Sequence, residues 1–195
     1  MFKEILEKIK RDSSTTTTSD KKLLDTITKK SLILHTAAEH NHLKIVEALF
    51  RDYEVDPDLK DTKSGNLIIH LAAKQNSVDL FNLLVRYNAV SFKTNNNLDN
   101  ALHIASQNNC SRFIRRLLEY EKILSDKAEN EAYIPCMCRC DYLCSCDATT
   151  SSIEQLNKKD YTPIMMAIAS RNHKCVEELI LTSEAQNRKV FLLFF

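Results

Sequence analysis

One phrase occurs four times in this chain: Leu32-Ile-Leu-His35-Thr-Ala37-Ala38, Leu67-Ile-Ile-His70-Leu-Ala72-Ala73, Asn100-Ala-Leu-His103-Ile-Ala105 and Thr162-Pro163-Ile-Met165-Met-Ala167. Self-similarity at a period of roughly 20 to 50 residues marks stacked supersecondary units, each able to bury its apolar face only against its neighbours. The chain therefore reads as an array rather than as a scaffold around one catalytic pocket.

The steps from His35 to His70 and from His70 to His103 are 35 and 33 residues, whereas His103 to Met165 is 62. The last step is one repeat plus an insertion of 29 residues, and that insertion holds five of the seven cysteines. With 44% hydrophobic and 27% charged residues the balance is that of an ordinary globular chain. Net charge is +1, from 27 basic and 26 acidic residues, so no global field favours nucleic acid or an anionic membrane. The opening Met1-Phe-Lys-Glu-Ile-Leu-Glu-Lys-Ile-Lys lacks the apolar stretch of a signal peptide, and nothing approaches the ~20 apolar residues of a membrane span. A reducing, cytoplasmic setting is the expectation, and there an odd number of cysteines reads as free thiols or metal ligands rather than disulfides.

Phe2, Ile5, Leu6 and Ile9 recur at helical spacing, with Glu4 to Lys8 and Glu7 to Arg11 as i,i+4 opposite charges. Residues 1–11 are thus expected to form an amphipathic helix that caps the array or docks elsewhere. The Ser/Thr-rich stretch 12–20 reads as a linker, because it cannot bury enough apolar area to order itself. A leading half-repeat and three repeats follow over 21–120, then a helix extension and Cys-rich insertion over 121–156, a fourth repeat over 157–185, and an apolar tail over 186–195. Each repeat resolves into two helices. The alanine pairs of the first let neighbours approach closely, and the second carries core stripes: Leu43, Ile45, Val46, Leu49 and Phe50 in one, Phe113, Ile114, Leu117 and Leu118 in another.

These residues resemble the ankyrin repeat family, whose phrase is Thr-Pro-Leu-His-x-Ala-Ala, two residues, Gly-His, two residues, Val-Val, two residues, Leu-Leu. Thr162-Pro163-Ile164 is the nearest match to its opening; His35, His70 and His103 keep its histidine; Gly65 matches its loop glycine. The resemblance covers about 31 to 120 and 157 to 185 and implies an all-α solenoid of helix-turn-helix units with short loop fingers. Asn41, Asn76 and Asn109 stand where the family has its turn glycine; asparagine is the non-glycine residue that best tolerates positive φ. Arg171 breaks that pattern and puts the fourth turn in question.

The family's histidine bonds to backbone and ties units together, so the resemblance gives His35, His70 and His103 a structural role. His40, His42 and His173 fall at the helical turns and are expected in solvent. No nucleophile and base appear at a mechanistic spacing, and the lone glycine excludes phosphate-cradling loops, so no enzymatic activity is expected. Asp56, Asp58 and Asp61 surround Pro57 without the spacing of a calcium loop.

Cys136-Met-Cys138-Arg-Cys140-Asp-Tyr-Leu-Cys144-Ser-Cys146 places five thiols in 11 residues. Four readings stay open: a zinc site, though the spacing is Cys-x-Cys rather than Cys-x2-Cys; thiol chemistry helped by Arg139 and Lys127; lipid attachment; or reduced thiols with no dedicated role. No other cofactor is expected.

The resemblance further implies a protein partner along the concave side, built here from Glu39, His40, Lys60, Lys63, Lys74, Gln75, Lys93, Asn96, Gln107 and Asn108. The expected function is a non-enzymatic, monomeric adaptor or scaffold. The alternative it implies is the cytoplasmic amino-terminal part of an ankyrin-type transient receptor potential cation channel, which has phrases similar to Leu156-Asn-Lys-Lys-Asp-Tyr-Thr-Pro-Ile, and in which the Cys cluster would sense thiol-reactive agents.

Overall fold

A computed structural model describes residues 18–90, 92–130 and 152–185. Their order is α1 (Thr18–Glu39), α2 (Leu43–Arg51), α3 (Ile68–Lys74), α4 (Val78–Arg86), α5 (Ala101–Gln107), α6 (Ser111–Asn130), α7 (Pro163–Ala169) and α8 (His173–Ala185), with no strand among the described residues. The first helices α1, α3, α5 and α7 pack side by side in one layer, and the second helices α2, α4, α6 and α8 form the other. This is the all-α helix-turn-helix array that the family resemblance implies. The leading amphipathic segment, the Cys-rich stretch Cys136 to Cys146 and the apolar tail lie outside the described residues.

Small side chains set the spacing of the first layer. Ala37 and Ala38, Ala72 and Ala73, Ala105, and Ala167 are all buried, each at the point where one first helix meets the next. The second layer is filled by larger groups: Phe81 meets Phe113 edge-on at 5.4 Å and Tyr120 at 5.8 Å, and Phe50 meets Tyr87 at 5.7 Å. Val46, Leu80, Leu84, Ile114, Leu117, Leu118 and Leu179 complete a continuous core. Ile45, assigned to the core stripe by periodicity, is instead 48% exposed, because Val46 and Phe50 already define the buried stripe of this short helix.

Every helix-helix turn has the same backbone. Asn41, Asn76, Asn109 and Arg171 take φ of 53°, 54°, 58° and 57°. The next residue's N–H returns to the alanine five positions back: His42 to Ala37 at 2.8 Å, Ser77 to Ala72 at 3.0 Å, Cys110 to Ala105 at 2.9 Å and Asn172 to Ala167 at 2.9 Å. This is the Schellman arrangement that closes a helix carboxyl end. The fourth turn therefore keeps its geometry despite Arg171. Asn172 helps hold it, since its Nδ2 donates to the carbonyls of Ser106 at 2.7 Å and Gln107 at 3.1 Å on the preceding repeat.

One boundary differs from that read in the sequence. Helix α1 begins at Thr18, so the last residues of the Ser/Thr-rich linker are helical and run without a break into the first repeat. The described residues ahead of 157 also pack on the array: Ser152 and Ile153 are buried, Ser152 Oγ donates to Glu121 Oε1, and Asn100 Nδ2 donates to the Ser152 carbonyl at 2.7 Å.

Candidate partner-binding surface

The loops that lead into α3, α5 and α7 project as fingers, each closed by one side chain. Asp61 Oδ2 accepts the Ser64 N–H at 2.8 Å and hydroxyl at 2.7 Å, and these bonds hold its carboxyl below the usual range. Asn95 Oδ1 accepts the N–H groups of Asn97 at 2.8 Å and Asp99 at 3.0 Å; Asn157 Oδ1 accepts those of Lys159 at 2.9 Å and Tyr161 at 3.1 Å. The fingers then bond to one another, through Asn95 Nδ2 to Asn66 Oδ1 at 2.9 Å and Asn157 Nδ2 to Asp99 Oδ1 at 2.7 Å. Gly65 must be glycine at its tip, with φ of 67° and a Cβ that would meet Asn96, whose amide nitrogen lies 3.0 Å away.

Two of the three repeated histidines, His35 and His103, hold fingers to helices. His35 Nε2 lies 2.8 Å from the Asn66 carbonyl, and His103 Nε2 lies 2.8 Å from the Tyr161 carbonyl, one repeat on in each case. His70 Nδ1 accepts the Leu67 N–H at 2.9 Å, yet its Nε2 has no partner of hydrogen-bond geometry. The nearby carbonyls of Asp99 and Lys93 favour its protonated ring only slightly, and burial pushes its pKa down to about 4. Burial also lowers His103. Such rings are structural ties rather than proton-transfer groups at neutral pH.

The ten residues expected to meet a partner fall into two groups. Lys60, Lys63, Lys93 and Asn96 lie on the fingers; Glu39, His40, Lys74, Gln75, Gln107 and Asn108 lie at the far ends of the first helices. A seven-residue first helix is ~10 Å long, which sets the distance between the groups. Lys63, Lys74, Asn96 and Gln107 are exposed. Lys60 donates to the Thr94 carbonyl at 3.0 Å, and the Lys93 ammonium pairs with Asp58 at 2.6 Å with the side chain only 23% exposed, so it braces one finger against the other. Gln75 Nε2 donates to the Glu39 carbonyl at 2.6 Å, and Asn108 Nδ2 to Ile104 at 2.8 Å. The exposed Lys158 and Lys159 continue the finger row, a position legible only once the third and fourth fingers are aligned across the insertion.

Among the described residues no group of three or more His, Cys, Asp or Glu is placed to hold a metal. Cys110 and Cys175 are free and buried; burial raises both thiols, Cys175 to about 11, which makes them poor nucleophiles. A cleft of about 490 Å³ opens between the first turns, lined by Glu39, His40, Asn41, Gln75, Asp79 and Arg112 among others. Its hydroxyl, Ser77 Oγ, is occupied as a helix cap, accepting the Leu80 N–H and donating to Asn41 Oδ1. No described helix is long and apolar enough to cross a membrane.

A family model of three ankyrin repeats matches residues 34–130. Over these residues the chain belongs to the ankyrin repeat family. The fourth unit, beyond the match, joins the same ankyrin stack through α5 with α7 and α6 with α8. A similar protein is alpha-latrotoxin-Lg1a of Latrodectus geometricus, 31% identical over 105 residues. That stretch covers 53% of this chain and 8% of the toxin, so the likeness is to a small part of a much longer protein.

Proposed function

We propose that the chain is a non-enzymatic adaptor or scaffold, acting in the cytoplasm, whose protein partner lies along the fingertips and the outward positions of the first helices. One observation carries this reading: Lys63, Asn96 and Lys158 on the fingers, with Glu39, Lys74 and Gln107 on the helices, are exposed in equivalent positions of successive repeats while the histidines, asparagines and alanines beside them are used internally. Repeat stacking yields such a surface as a direct product of the fold. A photocrosslinking residue placed at Asn96 or Gln107 is expected to capture the same partner, and one placed at Tyr53 or Lys122 on the second-helix side is expected to capture none. Capture from the second-helix side alone would overturn the assignment.

A further inference from the structure

We propose that the edge of the array formed by the four helix-helix turns is a second docking surface, shaped for an acidic polypeptide segment. It lies apart from the fingers, at the opposite end of the first helices. The repeats align its residues in columns: Lys44, Asp79, Arg112 and Lys174 each follow the first residue of a second helix, and Asn41, Asn76, Asn109 and Arg171 are the turn residues themselves. Lys74 ends α3 beside them.

The five cations Lys44, Lys74, Arg112, Arg171 and Lys174 are all exposed, and none has an ion-pair or side-chain hydrogen-bond partner among the described residues. Against them stand two carboxylates, Glu39 and Asp79, whose side chains are likewise unengaged. Three exposed imidazoles, His40, His42 and His173, add further polar groups. The finger edge is different, since Asp58 pairs with Lys93 there, Asp61 is engaged by Ser64, and Asp160 is exposed beside Lys158 and Lys159. A net charge of +1 for the chain thus conceals an unequal split between its two edges.

The geometry suits a polypeptide. Packed helices lie about 8–10 Å apart, so each column presents a side chain at that interval, and an extended strand advancing ~3.3 Å per residue keeps step with a carboxylate at every third position. The edge is indented by the 490 Å³ cleft, which a peptide side chain can enter and a flat bilayer cannot follow. Arg112 stands on the wall of that cleft, where its guanidinium can take a carboxylate through two parallel bonds.

Fluorescence anisotropy with the full chain and a labelled peptide of four Glu-Ser-Thr triplets tests the proposal. The peptide is expected to bind, more weakly as added salt shortens the screening length from ~30 to ~8 Å. Combined K44S, R112S and K174S should weaken binding about tenfold, from exposed pairs each contributing up to about fivefold. Asp79→Asn should tighten it about twofold, an arm that a misfolded variant cannot imitate. Lys63→Ser with Lys158→Ser should leave it unchanged, which separates this surface from the finger surface. Failure of the peptide to bind at low salt, equal loss in the finger variant, or binding of phosphatidylserine vesicles without the peptide would each overturn the proposal.

Discussion

The side-chain oxygen of Asn76 accepts the backbone N–H of Phe113 at 2.9 Å, so a turn residue of one repeat caps the second helix of the next. Asn41 reaches forward in the same way to Ser77 Oγ at 3.0 Å. Asparagine in these turns therefore does more than tolerate a left-handed backbone. The family's glycine is easier on the backbone, but it has no oxygen to offer the neighbouring helix.

Replacing these two asparagines separates the effects. Asn76→Gly relieves positive φ yet leaves the Phe113 N–H without its acceptor, and a lost cap costs about 0.5–2 kcal/mol. Asn41→Gly gives up a solvent-exposed bond to a hydroxyl that can turn to water. Urea unfolding should show Asn76→Gly destabilised by about 1 kcal/mol and Asn41→Gly near neutral; equal stabilisation of both would remove the cap from the account.

Leu98 and Arg171 hold φ of 59° and 57° with exposed side chains, so each bears backbone strain that its side chain does not repay by burial. Leu98→Gly and Arg171→Gly should each raise stability by up to about 1 kcal/mol, read from the urea midpoint at unchanged slope. A drop in stability in either variant would mean that the side chain makes a contribution larger than the strain.

His70 makes the array acid-sensitive. Its ring has a pKa of about 4 in the folded chain against 6.5 when exposed, so below about pH 6.5 the unfolded chain takes up a proton that the native chain does not. Stability should fall as pH drops from about 6.5 towards 4, by on the order of 2 kcal/mol at about pH 5. His70→Gln retains an N–H donor without titrating, and unfolding at pH 7 and 5 should show a shallower pH slope in that variant.

Lys93 and Asp58, at 23% and 15% side-chain exposure, form an ion pair between fingers. Lys93→Met leaves a shielded carboxylate, one of whose oxygens already has no hydrogen-bond partner. A double-mutant cycle with Asp58→Asn should return a coupling of about 1 kcal/mol or more, where the same cycle on the exposed Arg51 and Asp52 returns none. Equal couplings would show that burial does not distinguish them.

Cys110 and Cys175 should resist thiol reagents in native buffer and react after unfolding, as followed by peptide mapping of labelled protein. Rapid native labelling of Cys175 would contradict its burial.

What the sequence made legible was whatever the repeat forces to recur. The alanines, the histidines and the turn asparagines are repeated because each interface poses the same packing problem; spacing found the positions, and the resemblance to the ankyrin family supplied the roles of the histidines and asparagines. Ile45 was misplaced because a nine-residue helix has room for one narrow buried stripe, and Val46 and Phe50 occupy it. The pairing of Lys93 was not legible because its partner Asp58 lies 35 positions away, across a repeat boundary that charge counting does not see. The start of α1 at Thr18 was hidden by threonines, which favour helix only weakly. Arg171 keeps its left-handed turn because Asn172 and the Ala167 carbonyl fix the chain on either side of it.

Glu121 and Asn100 grip Ser152 in the third repeat, where α6 also departs. The fourth unit is therefore tied to the third by residues that precede its own first helix. Loop-closure entropy rises only by about 0.6 kcal/mol per doubling of length. This corner is thus a place where segments can be lengthened, shortened or exchanged during descent or by design, with new chemistry added to the scaffold while its stacking is left alone.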